Sequence, residues 1–383
     1  MKVLMVAPYP FPGKPIRGGV ETVTYNLVEG FKNVSEIDLR IISYCQDYDA
    51  VIELSPNVSC LFFKSQFPSR KMELKKHIKT LVISIDEEWN PDIIHIQGNG
   101  SNFLLYDEKI KNKLVITQHG IIWNEMKQTM SLRPKINMLI AYLIERKMRS
   151  CIANWVFISH YNLKYNSKFV NSSAINYCQV YNPVNPKFFI DNPSNEHTGL
   201  NLLFVGRIVP RKGLKDLLVG LSRVNNPNIK LHVVGGFEVD SYYDEIESEI
   251  ERLGIKGQII MHGWKNTDEI FKLYTDIDVL VLPSYQETLP CVIAEAMAQC
   301  KIVVATNVGG IGEMIDEGKN GYLYSAGDIS ALSNILQKVY ALSKKERKEM
   351  SKYSNEKARR LYSPTGVSKA HLEFYKTILH KND

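Results

Sequence analysis

Pro283-Ser-Tyr-Gln-Glu-Thr-Leu-Pro-Cys-Val-Ile-Ala-Glu-Ala-Met-Ala298 follows directly on the apolar run Asp278-Val-Leu-Val-Leu282. An unbroken apolar run of this length fits a strand buried on both faces, as in a parallel sheet covered by helices. From Cys291 to Ala298 the spacing becomes helical, and Pro290 suits a first-turn position whose N–H has no partner in any case. The joint is therefore strand, turn, helix. Its helix start offers free amides and partial positive charge to an anion, at the edge where open α/β sheets bind phosphorylated ligands. Glu287 falls just before the helix and Glu295 inside it, with seven residues between them. Both carboxylates can border one cleft, and carboxylates accept from the paired hydroxyls that sugars and riboses present. An isolated Glu-x7-Glu reads equally well as a capped surface helix with two solvated acids, so the flanks decide.

Outward from this joint, short apolar runs alternate with helical patterns along the chain, which implies parallel sheets covered on both faces. Strands are expected at 2–7, 38–44, 93–96, 113–117 and 155–158, and again at 201–205, 230–234, 259–262, 279–282 and 302–305. The polar stretch Asp191-Asn-Pro-Ser-Asn-Glu-His-Thr-Gly199 separates the two sets and is rich in turn formers. A chain of 383 residues suits two domains better than one core. The expected division is 1–190 and 191–364, with a last helix over about 365–383 carrying Val367, Leu372, Phe374, Tyr375 and Ile378 at roughly helical spacing.

Composition narrows the class. Apolar residues make up 44% and charged residues 23%, ordinary values for a soluble globular chain. Lys2-Val-Leu-Met-Val-Ala7 is too short for a signal-peptide core, is broken at once by Pro8 and Pro10, and reads as a first strand. No apolar stretch approaches the roughly 18 residues a membrane span needs. The six cysteines form no C-x-x-C pair, which favours reduced thiols and a cytoplasmic location over disulfides or a zinc site.

The whole pattern resembles retaining glycosyltransferases of family 4. The resemblance rests on the strand, Pro-Ser, Glu-x7-Glu and Ala-Met-Ala, then on Ile302-Val-Val-Ala-Thr306 and Gly309-Gly310-x-x-Glu313. Upstream, Phe204-Val-Gly-Arg-Ile-Val-Pro-Arg-Lys-Gly213 is similar to the family's strand–Gly-Arg–x4–Lys-Gly element. Gly18-Gly-Val-Glu-Thr22 resembles its Gly-Gly loop, Thr117-Gln-His-Gly120 its Thr-x-His segment, and Val180-Tyr-Asn-Pro-Val-Asn-Pro-Lys-Phe188 its pre-linker stretch. The sequence departs from the family pattern at Thr288 and Pro290, where glycine is usual, and at Asn182-Pro183 and Asn185.

The resemblance implies the GT-B architecture: two Rossmann-like, doubly wound parallel-sheet α/β domains facing a central cleft, the first binding the acceptor and the second the nucleotide sugar, with the last helix crossing back to the first. It gives Arg207 and Lys212 to the donor diphosphate, Glu287 to the donor-sugar hydroxyls, Glu295 to the ribose hydroxyls, and His119 to a sugar hydroxyl or a backbone interaction. Gly18 and Gly19 supply a loop toward the donor. Since Pro290 has no amide, phosphate donors in the helix turn fall to Cys291 and Val292. Trp264, after strand 259–262, is a candidate neighbour of the base, and His95 reads as structural. The expected co-substrate is a UDP- or GDP-linked sugar, with no cofactor and no metal, because fixed cations and a helix start do the metal's work. The expected acceptor is a glycan or polyprenyl-linked glycan of cell-surface polysaccharide synthesis.

Charge is unevenly distributed. Residues 1–190 carry 23 Lys and Arg against 16 Asp and Glu, whereas the remainder carries 24 against 25. Two basic clusters account for much of the surplus: Arg70, Lys71, Lys75, Lys76 and Lys79; and Arg133, Lys135, Arg146, Lys147 and Arg149. The second flanks Met138, Leu139, Ile140, Tyr142, Leu143 and Ile144, a basic amphipathic helix suited either to packing on the sheet or to peripheral contact with an anionic membrane at the inner face of the cell membrane. Aromatics do not interleave with the charge, which argues against nucleic acid.

Three rivals fit less of the chain. A metal-dependent GT-A transferase needs an Asp-x-Asp, and Asp47-Tyr-Asp49 and Asp276-Ile-Asp278 match that string alone. A dehydrogenase needs G-x-G-x-x-G, which Val233-Val-Gly-Gly236 does not complete. A sugar-nucleotide epimerase shares the GT-B architecture and lacks a reason for the Glu-x7-Glu context.

Overall fold

The computed structural model describes residues 1–383 apart from 17, 46–48, 65–70, 99–104, 129–131, 169–174, 192–194, 196, 238–239 and 383. The chain forms two compact units, residues 1–185 with 362–383, and residues 186–361. The described part of 191–199 runs with the second unit, where Asn195 N donates to Thr275 O at 2.8 Å.

The first unit is built on β1 (Lys2–Val6), β2 (Asp38–Cys45), β3 (Ala50–Ser55), β4 (Val58–Lys64), β5 (Ile93–Gln97), β6 (Leu114–Gln118), β7 (Asn154–Phe157) and β8 (Asn176–Gln179). They form an eight-stranded sheet in the order β3-β4-β2-β1-β5-β6-β7-β8. All pairs are parallel except β3 with β4, a hairpin at one edge. Strands covered on both faces need apolar residues at every position, and β1 shows why. Val3 and Met5 pack with Leu27 and Phe31 of α1 (Gly19–Phe31) and with Val367 and Tyr375 of α13 (Pro364–Asn382). Leu4 and Val6 point the other way, toward Ile78 and Val82 of α2 (Lys71–Trp89). Phe31 stacks on Tyr375 with ring centroids 6.5 Å apart. The unit also holds α3 (Ile122–Gln128), α4 (Leu132–Met148) and α5 (His160–Asn166).

The second unit is a six-stranded, all-parallel sheet of β9 (Leu200–Val205), β10 (Ile229–Val234), β11 (Ile259–Gly263), β12 (Val279–Leu282), β13 (Ile302–Thr306) and β14 (Gly321–Tyr324). The order is β11-β10-β9-β12-β13-β14. Leu202 and Phe204 bury against Leu217 and Leu221 of α6 (Leu214–Val224), Ile246 of α7 (Asp240–Leu253) and Leu332 and Leu336 of α11 (Ile329–Ala341). The helices α8 (Thr267–Leu273), α9 (Cys291–Ala298), α10 (Ile311–Met314) and α12 (Lys344–Tyr362) complete the unit. A capping box starts α8, in which Asn266 and Glu269 satisfy each other's backbone N–H.

The ten expected strands are present, and β3, β4, β8 and β14 are additions. Pro290 departs from expectation. It is the N-cap of α9, in extended conformation, and the first helical amide is that of Cys291.

Candidate active site

In an open parallel sheet the ligand crevice lies at the carboxyl ends of the two strands where the order reverses. In the second unit these are β9 and β12. They pair only through Val279–Leu202 and Leu280–Leu203 and then diverge, although both continue toward their carboxyl ends. The loop after β9 carries Arg207 and Lys212, and the loop after β12 carries Glu287.

Backbone contacts hold these loops together. Tyr285 N donates to Arg211 O at 2.8 Å. Gly213 takes a left-handed φ of 70°, and a Cβ there would lie 2.1 Å from Pro283 O. On the other side, Gly309 has φ 59°, a Cβ on it would lie 1.8 Å from Glu287 O, and Gly310 N donates to Thr288 O at 2.8 Å. Only glycine fits either position. The Glu287 backbone is thus held by a neighbouring turn that the Gly309-Gly310 pair permits.

The side chains meet on this frame. Lys212 Nζ donates to Glu287 Oε1 at 2.5 Å, and Ser284 Oγ donates to the same oxygen at 2.8 Å. Their side chains are 13% and 10% exposed. Ser284 is fixed in turn, its carbonyl accepting from Thr306 Oγ1. Burial pushes the Cys291 thiol up to about 12, and the charges of Glu295 and Glu287 act in the same direction while Lys212 opposes them. Lys212, Glu287, Cys291 and Glu295 therefore share one electrostatic neighbourhood.

Glu295 differs from Glu287. It is 9% exposed, and no hydrogen-bond or ion-pair partner meets its carboxylate among the described residues. Burial raises its pKa from 4.5 to about 7. A buried carboxylate without a partner is costly, and folded proteins retain such a group where a ligand completes it.

Arg207 is exposed on the loop directly after β9. Val292 is half-buried in the first turn of α9. Trp264 is 56% exposed after β11, at the same end of the sheet but two strands from β9. Asp276 and Asp278 are engaged in structural contacts. Asp276 Oδ1 accepts from Asn195 Nδ2 at 2.6 Å, and Asp278 Oδ2 accepts from Asn201 N at 2.8 Å. Asp47 lies outside the described residues, and Asp49 Oδ1 caps Lys64 N at 2.7 Å.

In the first unit the order reverses between β1 and β5. Gly18 and Gly19 are exposed at the start of α1, and a Cβ on either would meet nothing within 4 Å. His119 follows β6 as a half-buried ring whose Nε2 lies 2.6 Å from Gln97 Oε1. Burial lowers its pKa to about 4, with His371 adding to the effect, while a hydrogen bond with Asn182 opposes it. His95 is fully buried, 2.5 Å from Tyr375 Oη and 2.7 Å from Thr117 Oγ1. Ser284 and Gln97 escaped the sequence reading. The signal for Gln97 was a second polar residue two positions after His95 in an otherwise apolar strand.

The basic helix needs correction. Arg149 is not a surface cation: it is 1% exposed, paired with the equally buried Glu145, its guanidinium 5.1 Å from the Tyr165 ring. Gln118 Nε2 also donates to Glu145, at 2.6 Å. Lys135, Arg146 and Lys147 are exposed. The side chains of Arg133 and Lys71, and the whole of Arg70, lie outside the described residues. Lys79 pairs with Asp107 at 3.0 Å. On α4 the apolar residues Ile136, Leu139, Ile140 and Leu143 are 50%, 41%, 52% and 53% exposed. Their i, i+3, i+4, i+7 spacing makes one stripe. No described helix is long and apolar enough to cross a membrane.

Residues 187–357 match the family model of glycosyl transferases group 1. The chain is 32% identical over 155 residues to an uncharacterized glycosyltransferase of Methanocaldococcus jannaschii, covering 37% of this chain and 39% of that protein. It is 26% identical over 334 residues to the lipopolysaccharide 1,6-galactosyltransferase of Salmonella typhimurium, covering 84% and 86% of the two chains. Anabaena HepE, solved in complex with UDP and glucose, superposes with a TM-score of 0.74 at 16% identity, covering 98% of this chain and 100% of that one. The chain has the two-domain GT-B fold, and its residues 187–357 are similar to the glycosyl transferases group 1.

Proposed function

We propose that this protein is a retaining glycosyltransferase that moves a sugar from a UDP- or GDP-linked donor to a glycan or polyprenyl-linked glycan acceptor in cell-surface polysaccharide synthesis. The observation that carries this reading is Glu295, a buried carboxylate with no partner among the described residues, beside the Lys212–Glu287 pair at the switch point. A ribose diol completes Glu295. A diphosphate above β9 and the start of α9 meets Lys212, Arg207 and the amides of Cys291 and Val292. Drawing Lys212 toward phosphate releases Glu287 to accept from donor-sugar hydroxyls. In the transfer, the bond from the anomeric carbon to the phosphate oxygen breaks as the bond to the acceptor oxygen forms on the same face, and the acceptor proton passes to the departing phosphate. The galactosyltransferase of Salmonella typhimurium and the UDP and glucose bound by HepE support the donor and acceptor classes.

The test is incubation with a panel of UDP- and GDP-sugars and a polyprenyl-diphosphate-linked glycan, with the anomeric configuration of the product read by NMR. An epimerised nucleotide sugar without transfer would replace this reading with the epimerase, and an inverted linkage would remove retention. Activity is expected to persist in EDTA, because Lys212, Arg207 and the α9 amides supply fixed positive charge. Strict dependence on Mn²⁺ or Mg²⁺ would overturn the metal-independent mechanism.

The exposed stripe on α4, flanked by Lys135, Arg146 and Lys147, favours peripheral attachment to the inner face of an anionic membrane, where a lipid-linked acceptor resides. Each basic residue near such a surface contributes about 1 kcal/mol, within about one Debye length. Co-sedimentation with phosphatidylglycerol vesicles is expected at low salt and release at high salt. Lys135, Arg146 and Lys147 to Glu, or Leu139, Ile140 and Leu143 to Ser, should each abolish it while leaving donor binding unchanged. Wild-type protein in the supernatant at low salt would point to a soluble acceptor.

A further inference from the structure

Lys212 and Glu287 belong to different loops, so their distance depends on how the loop after β9 is fastened to the loop after β12. Tyr285, on the second of these loops, grips the first at two points. Its backbone N donates to Arg211 O at 2.8 Å, and its phenol Oη donates to Asp216 Oδ2 at 2.6 Å. Arg211 and Asp216 stand on either side of Lys212 in the chain, so the two bonds bracket it.

Between the two anchors the chain turns sharply. Pro210–Lys212 is a 3₁₀ turn, Gly213 N donates to Pro210 O at 3.0 Å, and α6 starts at Leu214. The backbone bond fixes the entry of this turn and the phenol fixes its exit. Asp216 lies in the first turn of α6, where a carboxylate also meets the partial positive charge of the helix start. A length of 2.6 Å is that of a charge-assisted O–H···O⁻ bond, stronger than one between neutral groups. The Asp216 hydrogen bond, with burial second, pushes the phenol up to about 12, so Tyr285 keeps the proton it donates at neutral pH. The Tyr285 side of the contact is open to solvent: the residue is 42% exposed, and its hydroxyl can be removed without opening a cavity in the core.

We infer that Tyr285 and Asp216 form a clasp that holds the Lys212 turn against the Glu287 loop, which makes Tyr285 a positioning residue for the transfer. The inference rests on the diphosphate role proposed for Lys212 and adds the residues that place it. The clasp acts through the backbone between Arg211 and Asp216. A cation whose turn is loosened loses part of its hold on charge that develops as the diphosphate departs. Donor binding is shared with Arg207, the α9 amides and Glu295 in the same proposal, so it suffers less.

The experiment uses the full chain. Tyr285→Phe keeps the ring and the backbone bond, and is expected to lower kcat about three- to tenfold with the donor KM within about twofold. Asp216→Ala should match it, and the double variant should be no slower than either single one, because both remove the same bond. Asp216→Asn retains an oxygen that accepts from Tyr285 and should recover most of the kcat lost in Asp216→Ala. Acetylation of lysines by acetic anhydride, read by mass spectrometry, supplies a measurement that needs no turnover. Lys212, whose side chain is 13% exposed, should react more slowly than Lys215, which is 44% exposed. In Tyr285→Phe, Lys212 should react at least about threefold faster while Lys215 is unchanged. A wild-type kcat in Tyr285→Phe, additive losses in the double variant, or Asp216→Asn as slow as Asp216→Ala would overturn the inference. If the wild type transfers no sugar from any nucleotide donor, the proposed function fails, and the acetylation alone decides whether the clasp holds Lys212: an unchanged Lys212 rate in Tyr285→Phe overturns it.

Discussion

Alanine at Lys212 is expected to lower kcat by about 10²–10³-fold while changing the donor KM far less, because a fixed cation acts most strongly on charge that develops as the diphosphate departs. Lys212 is well placed for this. Its ammonium lies 2.5 Å from Glu287 Oε1 with the side chain 13% exposed, a largely desolvated cation that exchanges its carboxylate partner for phosphate when the donor binds. Arg207→Ala should reduce kcat in the same direction. The two variants should differ in stability. Lys212→Ala deprives a carboxylate that is 10% exposed of its counter-charge, while Ser284 Oγ still donates to it, and should cost about 1–3 kcal/mol. Arg207 is exposed, and its loss should lower the melting temperature less than the loss of Lys212 does. Steady-state kinetics with thermal unfolding reads both effects. A near-normal kcat in both variants would place the diphosphate elsewhere.

Glu295→Gln is expected to weaken nucleoside diphosphate binding about 10- to 100-fold and, unusually, to stabilise the free protein. The affinity loss reflects removal of a charge-assisted pair of bonds to the ribose, about 1.5–3 kcal/mol. The stability gain follows from the raised pKa. The Glu295 carboxyl holds its proton up to about pH 7 in the folded protein but only to about 4.5 when unfolded. The folded state therefore binds the proton more tightly, loses stability as pH rises from 4.5 to 7, and stays at that level above it. At pH 8 the penalty is on the order of 3 kcal/mol, which glutamine removes and which disappears toward pH 4.5. Wild-type nucleotide affinity should rise with pH through 7, since the ionised form is the one that accepts two hydroxyls. Calorimetric titration at pH 6 and 8, with melting curves at pH 5 and 8, tests the whole set. Unaltered nucleotide affinity in the glutamine variant would remove Glu295 from the ribose.

Both experiments concern residues legible in the sequence, and there is a physical reason for that. A strand buried on both faces is apolar at most positions, so β1, β5, β9, β12 and β13 stand out as runs. The turns at their carboxyl ends carry Lys212, Glu287 and Glu295, and the last two share one strand–turn–helix joint. Two of the four strands that the sequence does not display are poorly buried. β3 alternates between half-buried and exposed positions, and β8 is half-buried or exposed throughout, so neither reads as a continuous run. Gln97 shows locally only as a second polar residue in an apolar strand, because its partner His119 lies 22 positions away.

The sequence by itself determined the alternation of strand and helix, the identity of the anionic and cationic groups at the switch point, and the presence of a basic segment with apolar residues in the first unit. Tertiary structure decided what each charge does. It paired Glu287 with Lys212 and left Glu295 buried without a partner, though the two glutamates look alike as letters. It withdrew Arg149 from the surface into a pair with Glu145, and left Ile136, Leu139, Ile140 and Leu143 exposed where a packed helix face was one of two readings. It also joined His95 to Tyr375, 280 positions apart. Periodicity and turn chemistry are local and are written in neighbouring residues. Burial and pairing depend on which distant segments the fold brings together, and the free energy of a charge follows from those.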